Sequence, residues 1–267
     1  MLKKISLLLI FVLLTGCSYL NQQAMRKIKN IRILRSIDTS YVPHDCCYSA
    51  VHNTVFVMQE GSNIVHIYSS TGEKNMIGGL GFGKNKFSKL SDITISPDAN
   101  LLILDSFEKS IKKFDWEGSL IAEIQLKEFG RPVLFDVSND GTYFIYDEQK
   151  NEIISTSDFK NFYNFGKFQL SEPYSLNLQR TSLQVYEREA DKTLLFSILG
   201  QFEREYEGNV QMKNQQVLKL EKYYLTTSKG ERKFAINPQG WQHFIWKDNY
   251  VYLLAKNKVI IAELEYE

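Results

Sequence analysis

The residue with the clearest chemistry in this sequence is Cys17. It ends Leu14-Thr15-Gly16-Cys17, which follows a basic start, Met1-Leu2-Lys3-Lys4, and an apolar stretch from Ile5 to Leu14 broken by one Ser. Positive charge, a short apolar segment and small residues, in that order, make a secretory signal. The apolar run of roughly ten residues is too short to cross a hydrocarbon core, which takes about 20. The other two cysteines, Cys46 and Cys47, are adjacent. They could pair only in a strained ring, so they read as small packed side chains at a strand start. The four histidines, His44, His52, His66 and His243, fall at no ligand spacing. The sequence has no G-x-S-x-G, H-E-x-x-H, Walker or C-x-x-C motif. Gly78 to Gly83 matches a phosphate loop only in glycine content, since no Lys-Ser or Lys-Thr completes it and no helical pattern follows. No catalytic residue, cofactor or metal ligand is therefore expected.

The run ending at Cys17 resembles the lipobox of bacterial lipoproteins. The resemblance covers residues 1–17 and implies a diacylglyceryl group on the Cys17 thiol, cleavage before it by signal peptidase II, and anchoring by acyl chains. Each buried methylene of such a chain contributes about 0.8 kcal/mol. Residues 1–16 then read as a lipoprotein signal peptide. Residues 17–29, polar and without alternation, read as a lipidated tether. An Asp after the cysteine would resemble an inner-membrane retention signal. Ser18 stands there instead, which favours an outer membrane, facing the periplasm, if the cell is Gram-negative. The expected location is a bacterial cell envelope, with the lipid as the membrane contact.

Formal charge is +1, and loss of Lys3 and Lys4 with the signal leaves the remainder close to neutral. Neither nucleic-acid binding nor electrostatic membrane binding is expected from such a balance. With 43% hydrophobic and 13% aromatic residues the chain can bury a sizeable core, and 15 Tyr and 17 Phe favour strands over helices.

The organisation appears as a repeat. After the glycine-rich lead and Phe87 come Ile93-Thr94-Ile95, a Pro97-Asp98 turn, Leu101 to Leu104 closed by Asp105-Ser106, and Ile111 to Phe114 closed by a turn at Glu117-Gly118. Ser119 to Ile124 alternates and makes a fourth strand. Gln59, Asp105, Asp147, Glu187 and, more weakly, Thr227 occupy the same place in successive units, with Gly72, Gly118, Lys160, Gly200 and Gly240 following at one constant interval. A shortened unit covers Tyr250 to Leu264. The period of roughly 40 residues is that of a β-propeller blade, and it favours a propeller over a β-sandwich of similar strand content. The last unit lacks an outer strand, and Ile31 to Ile37 alternates. The expected fold is all-β, a six-bladed β-propeller of four-stranded antiparallel blades spanning 30–267, with the N-terminal strand closing the ring and removing sticky edges.

The segment from Gly78 to Gly118 resembles an NHL repeat: a glycine-rich lead, a Phe, a strand ending in Asp-Ser, and a strand ending in Phe-Asp-x-x-Gly, here Phe114-Asp115-Trp116-Glu117-Gly118. Leu90 departs from the family's usual Pro, and the other units are degenerate. One branch of that family is a metal-dependent amidating lyase, for which this sequence has too few histidines at strand starts. The propeller architecture gathers two loops per blade on one face. Candidate binding residues on that face are His44, Glu60, Arg131, Arg188 and Trp241. The expectation is a non-enzymatic, lipid-anchored module that binds an envelope protein or glycan, the alternative being a metal-dependent lyase or hydrolase in the central channel.

Overall fold

The second strand of the early units is apolar without alternation, as in Leu101-Leu102-Ile103-Leu104, all of it fully buried. A strand covered on both faces reads this way. In a ring of blades, each middle strand lies between two neighbouring sheets. The computed structural model describes residues 28–81, 83–213, 216–221, 224–227, 233–235 and 241–267. The expected signal peptide and Cys17 lie outside the described residues.

Every regular element there is a strand. β1 (Ile28–Asp38) comes first, and it takes in Ile28 and Lys29, the last two residues of the expected tether. Blade 1 holds β2 (Pro43–Ser49), β3 (Thr54–Gln59), β4 (Ile64–Ser69) and β5 (Gly72–Gly78). Blade 2 holds β6 (Leu90–Ile95), β7 (Leu101–Asp105), β8 (Ser110–Phe114) and β9 (Leu120–Gln125). Blade 3 holds β10 (Pro132–Val137), β11 (Tyr143–Asp147), β12 (Glu152–Thr156) and β13 (Tyr163–Phe165). Blade 4 holds β14 (Pro173–Leu178), β15 (Ser182–Glu187), β16 (Lys192–Ser197) and β17 (Phe202–Glu207). Blade 5 holds β18 (Val210–Lys213), β19 (Gln216–Glu221), β20 (Tyr224–Thr227) and β21 (Lys233–Ala235). Blade 6 holds β22 (Trp241–Lys247), β23 (Tyr250–Ala255) and β24 (Lys258–Tyr266).

Each blade is a four-stranded antiparallel sheet, and the fourth strand of blade 6 is β1. β1 pairs with β24 from Ile28 opposite Tyr266 to Asp38 opposite Lys258, so the two chain ends close the ring. The fifth unit corrects the sequence reading. Its second strand ends at Glu221, whereas Thr227 ends the third strand. Blade 5 is shorter than the earlier blades, so a constant step overshoots it.

Apolar clusters fill the seams between blades. One joins Phe56, Ile67 and Ile77 of blade 1 to Leu101, Ile103 and Phe114 of blade 2, with Phe87 from the connecting loop. Others join blades 2 and 3, 3 and 4, 5 and 6, and 6 and 1. The seam between blades 4 and 5 uses polar bonds: Met212 N donates to Gln184 Oε1 at 2.8 Å, and Thr193 Oγ1 donates to Gly208 O at 2.8 Å while accepting from Val210 N at 3.0 Å. Outer strands such as β17 are exposed and carry Glu203, Arg204 and Glu205, charges that discourage edge pairing. Cys46 and Cys47, neighbours in a pleated strand, point to opposite sides. Cys46 packs in the seam with blade 6 and Cys47 in the seam with blade 2, both as buried free thiols.

Candidate binding site at the channel mouth

The residue that sets the repeat also builds the upper face. Asp105, at the end of β7, is buried and accepts four backbone N–H bonds: Ser88 at 2.7 Å, Lys89 at 3.1 Å, Phe107 at 3.1 Å and Glu108 at 3.0 Å. Asp147 does the same for Gly130 at 2.6 Å, Arg131 at 2.9 Å, Gln149 at 3.1 Å and Lys150 at 3.3 Å. Glu187 takes the Ser171 N–H at 2.6 Å and its hydroxyl at 2.8 Å. In blades 2 and 3 one carboxylate thus ties the loop entering the innermost strand to the loop between the second and third strands, and in blade 4 it holds the entering loop. Charge-assisted bonds of this kind are the stronger ones, so the face is held rigid.

Below the face, the innermost strands line the central channel, and their polar side chains reach sideways to the next blade. Asp45 accepts from Cys46 N at 2.7 Å and lies beside Asp92 of the next blade. Asp92 accepts from Phe135 N at 2.6 Å, Asp136 from Leu178 N at 2.8 Å, and Gln211 from Trp246 N at 3.0 Å. Asn177 donates to Gln211 and to Trp246 O. Lys247 of blade 6 places Nζ 2.6 Å and 2.7 Å from the two oxygens of Asp136 in blade 3, which lies opposite in a six-membered ring. This ion pair is a strut across the axis, lining a cavity of about 230 Å³. Asp45 and Asp92 share a hydrogen bond and so hold a proton between them. Burial pushes Asp45 up to about 6 and raises Asp92 well above the usual carboxyl range, with the neighbouring Asp45 charge adding to it.

At the upper mouth, Pro43, His44, Glu60, Tyr174, Tyr186 and Arg188 line a cavity of about 330 Å³. These residues come from blades 1 and 4, again opposite each other, so the cavity spans the axis. Arg188 lies over the face of Tyr174, its guanidinium carbon 3.2 Å from the ring centroid. Tyr174 meets His44 edge-on at 6.0 Å and His243 at 5.2 Å, and His243 stacks on Tyr186. His243 is fully enclosed, and Asn209 Nδ2 donates to its Nδ1 at 3.3 Å. Burial, with the Arg188 and His44 charges assisting, pushes it down to about 3. His44 is lowered by burial, against the pull of Glu60 and with help from Arg188. Both rings are therefore neutral at physiological pH. A broader hollow shares His44, Glu60 and Tyr174 and runs toward Leu80, Lys89 and Glu148.

Three of the five candidate residues, His44, Glu60 and Arg188, thus share one cavity. Arg131 stands apart: it does not line this cavity, its backbone is held by Asp147, and its side chain pairs with Glu148 on the surface. Trp241 opens β22 opposite Ala255, and its side chain lies outside the described residues. Sequence reasoning missed Tyr174, Tyr186 and His243. A signal for Tyr174 existed: it follows Pro173 at the start of an innermost strand, as His44 follows Pro43. Among the described residues, no group of three or more His, Cys, Asp or Glu is placed to hold a metal ion.

A family model described as DUF5128, 6-bladed beta-propeller, matches residues 48–170. The chain is a six-bladed β-propeller. Solved structures share the fold at low identity. A gluconolactonase of Xanthomonas campestris superposes with a TM-score of 0.60 at 9% identity, over 90% of this chain and 96% of that one. Virginiamycin B lyase from Staphylococcus aureus gives 0.56 at 11%, over 88% and 100%. The WD40 beta propeller domain of Doa1 gives 0.54 at 13%, over 89% and 98%. These likenesses show the fold alone, which serves enzymes and WD40 domains alike. In sequence, 147 residues are 29% identical to histone acetyltransferase type B subunit 2 of Candida glabrata, covering 52% of this chain and 34% of that protein. The chain spans about a third of that relative's length.

Proposed function

We propose that this protein is a lipid-anchored propeller of a bacterial cell envelope, built of NHL-like blades, which binds a protein or glycan partner at the mouth of its channel without catalysing a reaction. One observation carries the reading: the charged groups inside the channel bond to backbone or to one another, whereas, among the described residues, Glu60 and Arg188 at the mouth have no oppositely charged partner within ion-pair distance. Unspent charge on a rigid concave face is what recognition needs. A metal-dependent lyase or hydrolase in the channel would have to draw its ligands from Asp45, Asp92 and Asp136, whose oxygens already serve the blades. Stoichiometric zinc or calcium in the purified protein would favour that alternative.

Anchoring rests on the signal and on Cys17. Replacing Cys17 with Ser is expected to abolish acylation and processing by signal peptidase II. Unchanged processing and membrane attachment would remove the lipid from the proposal. Capture of a partner from cross-linked envelopes, repeated with Arg188→Ala and Glu60→Gln, tests the mouth. Loss of capture with both supports it, and retention with both removes it.

A further inference from the structure

The two charges at the mouth have opposite sign and face the same space. Glu60 is exposed at the start of the loop after β3, and Arg188 is exposed just after β15. Among the described residues neither forms an ion pair, although both line one cavity of about 330 Å³. Arg188 is not free to swing toward Glu60 without giving up Tyr174, over whose ring its guanidinium sits. Some other surface charges are paired instead. Arg131 pairs with Glu148, Arg32 with Glu263, and Lys113 reaches Asp98 at 2.5 Å.

A cavity with separated positive and negative walls discriminates by charge pattern. A purely anionic ligand would satisfy Arg188 and be repelled by Glu60. A purely cationic one would meet the reverse. Leaving either charge facing a desolvated ligand without a partner carries a penalty, so only a ligand bearing both signs satisfies both walls. His44, between them and neutral, can donate one hydrogen bond and accept another.

We infer that the mouth takes a dipolar ligand of amino-acid or dipeptide size, its carboxylate on the Arg188 guanidinium and its ammonium on the Glu60 carboxylate. The inference rests on the mouth being the binding surface, and the cavity volume falls at the small end of ligand pockets, which run from about 300 Å³ upward. The guanidinium edge offers paired N–H groups that match a carboxylate fork.

The probe is the dipeptide glycyl-tyrosine, titrated calorimetrically into the purified protein beside its N-acetylated and C-amidated forms. The free dipeptide is expected to bind, and blocking either end to weaken it by roughly tenfold. Arg188→Ala is expected to bind the free and C-amidated forms equally, and Glu60→Gln to do so for the free and N-acetylated forms. Arg131→Ala is expected to keep the wild-type order, and Arg188→Lys to keep part of the carboxylate preference, which guards against a mere folding defect. Equal affinity for free and blocked peptides, or no binding of any of them, overturns the inference. If an envelope partner still depends on Arg188 and Glu60 in that case, the mouth remains the site and only the ligand class falls. If the partner ignores both substitutions, the mouth itself is the wrong place.

Discussion

Two pairs of opposite charges straddle the axis of this propeller, and they are treated differently. Asp136 and Lys247, from blades 3 and 6, meet at 2.6 Å inside the channel. Glu60 and Arg188, from blades 1 and 4, line the mouth without meeting. Burial explains the difference. A charge removed from water must find a partner or cost several kcal/mol, so the inner pair is closed and also bonded to backbone. At the mouth water serves both charges, and nothing forces them together. The charged residues deep in the channel are therefore structural, and those at its mouth are available.

The sharpest way to break this contrast is to remove one member of each pair. Asp136→Ala strips the partner from Lys247 Nζ, from Leu178 N and from Thr94 Oγ1. It is expected to destabilise the protein by about 3–5 kcal/mol, read by urea denaturation. Arg188→Ala, by contrast, is expected to change stability by less than about 1 kcal/mol, because its side chain is solvated.

A second test uses pH, since the two levels of the channel carry opposite linkages. Asp45 is raised from its ordinary 3.8 to about 6 when folded. Its folded form holds a proton that the unfolded form loses first, so its contribution to stability is full at low pH and falls as pH rises toward 6. His243 is lowered from 6.5 to about 3. There the unfolded form binds the proton first, so stability is full above 6.5 and falls as pH drops. The two slopes oppose each other between roughly pH 4 and 6. Asp45→Asn, whose amide can replace the shared proton toward Asp92, is expected to stabilise the protein at neutral pH by on the order of 1–3 kcal/mol. It should also expose the acid sensitivity of His243. His243→Phe should do the reverse, leaving a protein whose stability declines as pH rises through this window. Melting curves across that range check both, and parallel profiles for the two variants would contradict the assignment.

The smallest expected effect concerns Arg131. Its surface pair with Glu148 is worth at most about 1 kcal/mol, so Arg131→Ala should leave melting nearly unchanged. It should leave partner binding unchanged as well.

Much of this fold was legible because its key residue does the same job in each early blade. Asp105, Asp147 and Glu187 recur at one spacing because each must reach the loop entering the innermost strand, and Asp105 and Asp147 hold the following loop as well. Closure by β1 was legible because an alternating strand with no partner nearby in sequence has to pair somewhere. Thr227 misled because blade 5 is short and its second strand ends in Glu221. At the mouth, loop position alone selected His44, Glu60 and Arg188 but also Arg131. What separates them is pairing across loops: Glu148 follows the anchor Asp147 and captures Arg131, whereas Arg188 follows the anchor Glu187 and meets an aromatic ring. The channel carboxylates were invisible as a set because Asp45, Asp92 and Asp136 are distant in sequence. Each makes sense only beside the next blade's backbone.

The most direct measurement is partner binding by three arginine variants of matched melting temperature, compared side by side by capture from cross-linked envelopes. Arg188 lies in the mouth, Arg131 on the same face but paired, and Arg204 on the exposed outer strand β17. Loss of the partner with Arg188→Ala, and retention with Arg131→Ala and Arg204→Ala, is the expected result. Retention with Arg188→Ala together with loss at Arg204→Ala would place the functional surface on the blade rim and contradict the mouth.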